Sequence, residues 1–234
     1  MAAHLVVRQI DRADPETVAG LRTAGVAAAH EAAGRIGLLG PAIRPRQDGA
    51  VIAGSAITVS CHPGDNLMLH AAVEVCLPGD VLVVTTTSPS TDGMFGDLLA
   101  TSVMARGVVG LVIDAGVRDL ASLRDMGFPV WSRSVHAQGT VKASAGSVNV
   151  PVVAAGQLVS PGDIVVADDD GVLALPAASG PAVAEAAAKR LAGERAKRAR
   201  LADGTLGVEL YDLRPLLAEL GVRYVDRLPE GGDA

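Results

Sequence analysis

The chain has 234 residues, enough for one substantial core or at most two small ones. It is 49% hydrophobic but only 2% aromatic, so its interior must be built from Val, Leu, Ile and Ala, a composition that suits a β-rich core with packed helices. A formal charge of −6, with no Lys/Arg block outside the helix expected near residue 190, argues against a nucleic-acid surface, and no stretch has the length and apolarity of a membrane span. With no signal-peptide pattern, a reducing cytoplasm is the expected compartment, and Cys61 and Cys76, which form no CxxC motif, are expected to be small buried hydrophobes.

An Ala-rich stretch over residues 17–33, flanked by Gly20, Gly25 and Gly34, predicts one or two helices. The alternating, β-branched run 51–59 predicts a strand, and the apolar segment 66–76 a helix. Pro78-Gly79-Asp80 turns that helix into a strand at 81–84. A loop rich in Ser and Thr, 85–93, then leads to a helix that opens at Gly96-Asp97 and runs to about Arg106. A strand at 108–113, a loop at 114–119, a short helix to Met126 and a strand at 129–132 complete a βαβαβ rhythm. In such open α/β sheets, sites form where strands end and helices start. After Gly139 the texture changes to short β segments, 152–154, 164–167 and 172–175, expected as hairpins closing the same domain. A charged helix at 181–202 carries only a narrow apolar stripe (Val183, Ala187, Leu191), so it is expected to project or to pack on a second subunit. A last helix is expected near 213–220. The expected organisation is a single α/β domain over 1–180 and a helical extension over 181–234 that contacts a neighbouring subunit.

Asp114-Ala115-Gly116-Val117-Arg118-Asp119, between a β-branched strand and a helix, is the first candidate for chemistry. A carboxylate beside a guanidinium serves equally as a surface ion pair, a helix cap or a hard-cation ligand next to a fixed donor, and this segment alone does not choose. The second candidate is Thr91-Asp92-Gly93-Met94-Phe95-Gly96-Asp97-Leu98-Leu99. Gly96 lets backbone approach a ligand, the first-turn amides can receive a carboxylate, and Asp97 either serves the helix dipole or faces the same cleft as Asp119. Lysine is scarce: only Lys142, Lys189 and Lys197 exist, and Lys142 alone is a candidate for Schiff-base chemistry. His4, His30, His62, His70 and His136 show no zinc-ligand spacing, and His30 and His70 lie in apolar helices as expected structural histidines. An oxygen-rich site on one or two carboxylates and several waters suits Mg²⁺ or Mn²⁺. No Gly-Lys-[Ser/Thr] loop and no Gly-x-Ser-x-Gly elbow is present, which removes nucleotide hydrolysis and serine hydrolysis.

Gly96-Asp97-Leu98-Leu99-Ala100-Thr101 followed by Ile113-Asp114-Ala115-Gly116-Val117-Arg118-Asp119 resembles the 4-hydroxy-4-methyl-2-oxoglutarate/4-carboxy-4-hydroxy-2-oxoadipate aldolases, within the larger group similar to the regulator of ribonuclease activity A. The likeness extends through His30-Glu31-Ala32, Pro63-Gly64-Asp65-Asn66, Gly146-Ser147-Val148-Asn149 and Val166-Ala167-Asp168-Asp169-Asp170-Gly171-Val172. The resemblance implies an α/β fold of the β/β/α swivelling-domain type with a protruding C-terminal helical arm, assembled as a homotrimer or a homohexamer with active sites between subunits. It implies Asp119 as the Mg²⁺ or Mn²⁺ ligand, Arg118 at the pyruvyl oxygen, and Gly96, Asp97, Leu98 and Leu99 around the substrate carboxylate. It also brings Glu194 of a neighbouring subunit to the metal waters.

The implied reaction is a retro-aldol cleavage of a 2-oxo acid to pyruvate plus pyruvate or oxaloacetate, with oxaloacetate decarboxylation as a side activity. The expected base is a water or hydroxide polarised by Asp97 or Glu194. Arg44, Arg46 and Arg133 are each candidates for reading the distal carboxylate or plain surface residues. The alternatives are a related 2-oxo acid lyase or decarboxylase and a non-catalytic ribonuclease inhibitor. The regulator type is expected to lack both an Asp directly after this Arg and the charged C-terminal arm.

Overall fold

In the computed structural model, which describes residues 4–227, helix α1 (Pro15–Ala32) starts where the sequence supplies a cap. Thr17 N–H donates to Asp14 Oδ2 at 2.8 Å, and Pro15 occupies the first turn, where its missing N–H costs nothing. Gly25 leaves helical geometry at φ 76°, ψ 171°, and the chain re-enters the helix under a second cap, Val26 N–H donating to Asp168 Oδ2 at 2.7 Å. The stretch expected as one or two helices is therefore two pieces joined at a glycine.

The rest of the chain order is β1 (Arg44–Pro45), β2 (Ile52–Cys61), α2 (Leu67–Val73), β3 (Asp80–Thr86), β4 (Gly93–Phe95), α3 (Asp97–Met104), β5 (Gly110–Val117), α4 (Leu120–Asp125) and β6 (Val130–Val135). Then follow β7 (Ser147–Val148), β8 (Val152–Ala154), β9 (Gln157–Val159), β10 (Ile164–Asp168), β11 (Gly171–Leu175), α5 (Gly180–Ala202), α6 (Gly207–Leu210) and α7 (Arg214–Glu219). The main sheet runs β1-β6-β5-β3-β2-β10-β11, with β4 beside β5 and β7 beside β2. Its centre, β2, β3, β5 and β6, is parallel, and α2, α3 and α4 lie on the connections between those strands. β10 and β11 extend it antiparallel, and β8 and β9 form a separate hairpin.

The pleat decides which side chain enters which layer. In β3, Leu82 and Val84 pack with α2 and α3, whereas Val81 and Val83 face the opposite cluster with Trp131, Val152 and Val159. Both faces are buried, which explains the unbroken aliphatic runs. The three largest fully buried side chains among the described residues, Trp131, Phe95 and Phe128, are all aromatic, and the two phenylalanines stack at 5.7 Å. Cys61 and Cys76 are buried and free, and burial pushes both thiols up to about 12, in keeping with their reading as small hydrophobes.

Several boundaries depart from the sequence reading: the helix expected at 66–76 ends at Val73, the strand expected at 129–132 runs to Val135, and a third lies at the site. The strand expected at 108–113 continues to Val117, because β4 pairs Gly93 with Gly116 and Phe95 with Val117 while β6 pairs with the same residues from the other side. Residues 114–117 are therefore strand, and only Arg118 and Asp119 form the turn. β4 itself is absent from the sequence reading, its three residues being too short to show alternation.

Contacts divide the chain into two compact units, Met1–Arg190 and Leu191–Ala234, the division falling inside α5. In the second unit no described residue is buried, and Leu206, Tyr211, Leu216 and Leu220 are exposed. Lys197 lies over the Tyr211 ring at 5.1 Å, and Arg214 pairs with Glu209 at 3.2 Å. Among the described residues no helix is long and apolar enough to cross a membrane.

Candidate functional site

The four parallel strands finish on one side of the sheet, so the segments that follow them converge there, as at the carboxyl ends of open α/β sheets generally. A backbone bond joins the two motifs directly: Arg118 N–H donates to Phe95 O at 2.9 Å, fixing the exit of β5 against the turn that starts α3.

Asp119 stands at the N-cap of α4 with φ 56°, ψ 37°, the left-handed region that non-glycine residues enter at a cost. Its side chain makes no cap hydrogen bond to its own helix, although capping would contribute about 1 kcal/mol. The carboxylate turns instead toward α3: Asp119 Oδ2 lies 3.4 Å from Asp97 N–H and 3.4 Å from Arg118 Nε. Gly96 makes this approach possible. Its φ of −151° is ordinary extended backbone, so conformation does not demand glycine; a Cβ here would fall on Asp119 Oδ2.

Asp97 occupies the first turn of α3, where Leu98 N–H donates to its Oδ1 at 2.7 Å. Ala100 N–H is the first amide to close on the helix, onto Gly96 O at 3.0 Å. Of the first-turn amides expected to receive a carboxylate, Leu98's is thus taken up by Asp97 and Asp97's points at Asp119, so of these three at most Leu99's remains for that role. Leu98 projects into solvent, 80% exposed.

Together with Gly96, Asp97, Leu98, Leu99, Arg118 and Asp119, a cleft of about 80 Å³ is lined by Asn66, His70 and Lys142. A larger hollow of about 340 Å³ elsewhere has Arg22 as its one charged side chain. Ionisable groups of both signs do not meet there, whereas Asp97 and Asp119 share the smaller cleft with Arg118 and Lys142.

The sequence reading did not place Asn66, His70 and Lys142 at this site. Asn66 is 8% exposed; its Nδ2 donates to Met94 O at 3.0 Å, which orients the amide and leaves Oδ1 buried without a partner. His70 sits at the end of the cleft rather than in the core, and burial, with the nearby Lys142 charge second, lowers its pKa and favours the neutral imidazole. Lys142 is exposed, so the desolvation a Schiff-base lysine needs is missing.

Of the three arginines considered for a distal carboxylate, Arg46 and Arg133 are engaged elsewhere, and Arg44 is exposed on β1. Arg46 donates to Ser132 Oγ and O, both at 2.6 Å, and Arg133 pairs with Asp114 at 2.5 Å. Asp114 also accepts from Ala155 N–H at 2.7 Å, so the first residue of the Asp-x-Gly-x-x-Arg-Asp motif braces the β8–β9 hairpin and does not enter the cleft. Glu194, on α5, belongs to the second unit; its expected part is that of a neighbouring chain's residue.

Among the described residues no group of three His, Cys, Asp or Glu side chains forms a metal cage. A divalent ion at this site would rest on Asp119 and water, a donor set that fits Mg²⁺ or Mn²⁺, which retain several waters beside one or two carboxylates. The close approach across Gly96 and the unused capping role of Asp119 are consistent with that fit.

Comparison with known proteins gives the family. A protein of Halalkalibacterium halodurans with the provisional name 4-hydroxy-4-methyl-2-oxoglutarate aldolase is 30% identical over 169 residues, covering 72% of this chain and 80% of that one. A Burkholderia multivorans protein with the same provisional name is 37% identical over 148 residues, covering 62% and 90%. The crystal structure of Streptomyces coelicolor RraAS2, described as an unusual member of the RNase ES inhibitor RraA protein family, superposes with a TM-score of 0.72 at 30% identity, covering 81% of this chain and all of that one. The α/β fold expected from the resemblance is therefore the fold observed. Residues 22–174, which contain every residue lining the cleft, match the family model described as RraA-like, Aldolase/RraA, and the chain belongs to that family.

Proposed function

We propose that the protein is a divalent-metal-dependent pyruvate aldolase acting on 4-hydroxy-2-oxo dicarboxylic acids, 4-hydroxy-4-methyl-2-oxoglutarate or 4-carboxy-4-hydroxy-2-oxoadipate. The observation that carries the reading is the Asp119 carboxylate, held in a left-handed turn, unused as a helix cap, beside Arg118 and the first amides of α3. The provisional names of the relatives support it. The ion would be held by Asp119 and water, and when bound it supplies Lewis acidity at the 2-oxo group.

The chain's own residues bind and polarise. The Leu99 amide and the dipole of α3 receive the carboxylate next to the keto group. Arg118, at 3.4 Å from Asp119, directs its guanidinium to the keto oxygen, where negative charge develops as the C3–C4 bond breaks. The C4 hydroxyl proton leaves to a water held by Asp97, whose Oδ2 is not used by Leu98 N–H; the C4–O bond becomes a carbonyl and the C3–C4 electron pair moves into the enolate. Protonation at C3 then yields pyruvate. Loss of CO₂ from oxaloacetate leads to the same enolate. Lys142 supplies a second cation in the cleft for the carboxylate on C4.

The assembly completes the site in this reading. A cleft of about 80 Å³ is below the roughly 300–1,000 Å³ of small-molecule pockets, and the second unit exposes Leu206, Tyr211, Leu216 and Leu220 without burying any described residue. A homotrimer or homohexamer would cover those side chains and bring Glu194 of a neighbouring chain to the cleft.

The test is pyruvate release by purified protein with Mg²⁺ or Mn²⁺. Chelation by EDTA and the substitution Asp119→Ala should each abolish it; activity surviving either overturns the metal role. A second reading, inhibition of a ribonuclease, is favoured by the 30% identical relative described as a member of the RNase ES inhibitor family. Retention of a ribonuclease of the E/ES type on immobilised protein, together with absence of pyruvate release, would select it.

A further inference from the structure

Asp65 is 2% exposed, and no step of the proposed chemistry uses it. It follows the turn after β2, where Asp65 N–H donates to His62 O at 3.1 Å. Its two oxygens reach different segments. Oδ1 accepts from Leu67 N–H at 2.9 Å, at the start of α2; Oδ2 accepts from Ala143 N–H at 2.8 Å and Ser144 N–H at 2.6 Å. The backbone closes the same junction from the other side, Val141 N–H donating to Gly64 O at 3.0 Å and Asn66 N–H to Val141 O at 3.0 Å. Lys142 is thus pinned at both neighbours, with Val141 tied to the β2 turn and Ala143 tied to Asp65. Burial raises the Asp65 carboxyl, but the amides of Leu67, Ala143 and Ser144 outweigh it and hold the group below its ordinary range, so it is an anion throughout the working pH range.

A flexible lysine on a free loop would lose much of its grip to side-chain and loop entropy, and anchoring the loop removes the loop's share. Among the described residues Lys142 and Arg118 are the only Lys or Arg side chains lining the cleft, and the proposed reaction commits Arg118 to the keto oxygen.

We propose that Asp65 is a positioning residue for substrate selection: by tying residues 143–144 to the start of α2 it sets Lys142 to grip the carboxylate on C4. The inference rests on the aldolase reading and adds to it a determinant of preference for dicarboxylic over monocarboxylic 2-oxo acids. Pyruvate has no second carboxylate, yet its methyl protons exchange with solvent through the same enolate, so exchange reports the chemistry without the grip.

The experiment compares wild type, Asp65→Asn, Lys142→Met and the double variant, with Mg²⁺ present. Two quantities are followed: cleavage of 4-hydroxy-4-methyl-2-oxoglutarate and methyl-proton exchange of pyruvate in D₂O by NMR. Asp65→Asn keeps the shape but removes the charge that three amides share. It should raise KM about tenfold with kcat changed less than about threefold, and kcat/KM for cleavage should fall at least about tenfold more than exchange does. Lys142→Met should do the same, and the double variant should add little to either, because Asp65 acts through Lys142. Additive effects, equal losses in cleavage and exchange, or an unchanged KM in Lys142→Met each overturn the proposal. Lys142 is exposed, so an unchanged KM in Lys142→Met overturns the proposal even if Asp65→Asn does not fold. A wild type that neither cleaves nor exchanges would instead overturn the aldolase reading.

Discussion

Replacing Gly96 by alanine is an informative perturbation because the backbone would accept it and the site would not. At φ −151°, ψ −167° any L-residue is at ease, so Gly96→Ala adds no conformational strain. The new methyl, however, falls on Asp119 Oδ2 and lies 3.1 Å from Arg118 Cγ. Overpacking inside a closed core costs about 1–3 kcal/mol, but the Asp119 side chain is 36% exposed and can swing outward. The stability cost should therefore be about 1 kcal/mol or less, a Tm decrease of about 2–4 °C for a chain of this size. Catalysis has no such escape. Moving a carboxylate that organises the reacting groups by about 1 Å costs about 10²-fold in rate, equivalent to about 2.7 kcal/mol in the barrier. Pyruvate release coupled to NADH oxidation by lactate dehydrogenase, run beside a thermal melt, measures both. Activity within twofold of wild type would refute the reasoning, since it would mean that the Asp119 position near Gly96 does not matter. A Tm decrease above about 10 °C would refute it differently, by showing that β5 or α3 yields rather than the carboxylate.

Other consequences can be measured with the same assays. Arg118→Ala should lower kcat about 10²–10³-fold, as loss of a donor to a developing oxyanion does, and Arg118→Lys should not restore it, because an ammonium lacks the planar fork; the check is steady-state kinetics. Asp80 is fully buried at the amino end of β3, accepting from Arg12 Nε at 2.8 Å, Arg12 Nη2 at 2.9 Å and Leu77 N–H at 2.7 Å. Asp80→Ala strands the Arg12 guanidinium, whose pKa the Asp80 hydrogen bond raises, and should destabilise by about 3 kcal/mol while the surviving folded protein keeps its KM. For Asp65, whose folded carboxyl lies below its unfolded value of 3.8, the stabilisation is complete above that value and is lost as pH falls through the folded one. The Tm of the wild type should thus decline more steeply than that of Asp65→Asn below about pH 4, and parallel curves would contradict the charge role.

Much of the fold was legible because aliphatic runs and helix starts are local signals. The strand at 51–59 and the helix opening at Gly96-Asp97 lie within two residues of β2 and α3 at both ends, and the Arg118-Asp119 turn does meet the start of α3. What escaped depends on partners far along the chain. The break at Gly25 is settled by Asp168, 142 residues from the Val26 amide that it caps, and β4 exists because β5 offers it an edge. His70 looked structural in an apolar helix, and its place in the cleft comes from the loop carrying Lys142, which Asp65 attaches across 78 and 79 residues of sequence. Asp114 looked like a part of the site because it shares a motif with Arg118 and Asp119. Strand geometry with a bulge between Ile113 and Gly116 sends it to Arg133 instead.

The central claim is that the cleft cleaves a C3–C4 bond to form the enolate of pyruvate. The most direct measurement is the product stoichiometry from 4-hydroxy-4-methyl-2-oxoglutarate with Mg²⁺ present. The account predicts two molecules of pyruvate per molecule of substrate consumed, since both halves of that substrate are pyruvate. Substrate that remains intact, or is consumed with no pyruvate formed, would contradict it.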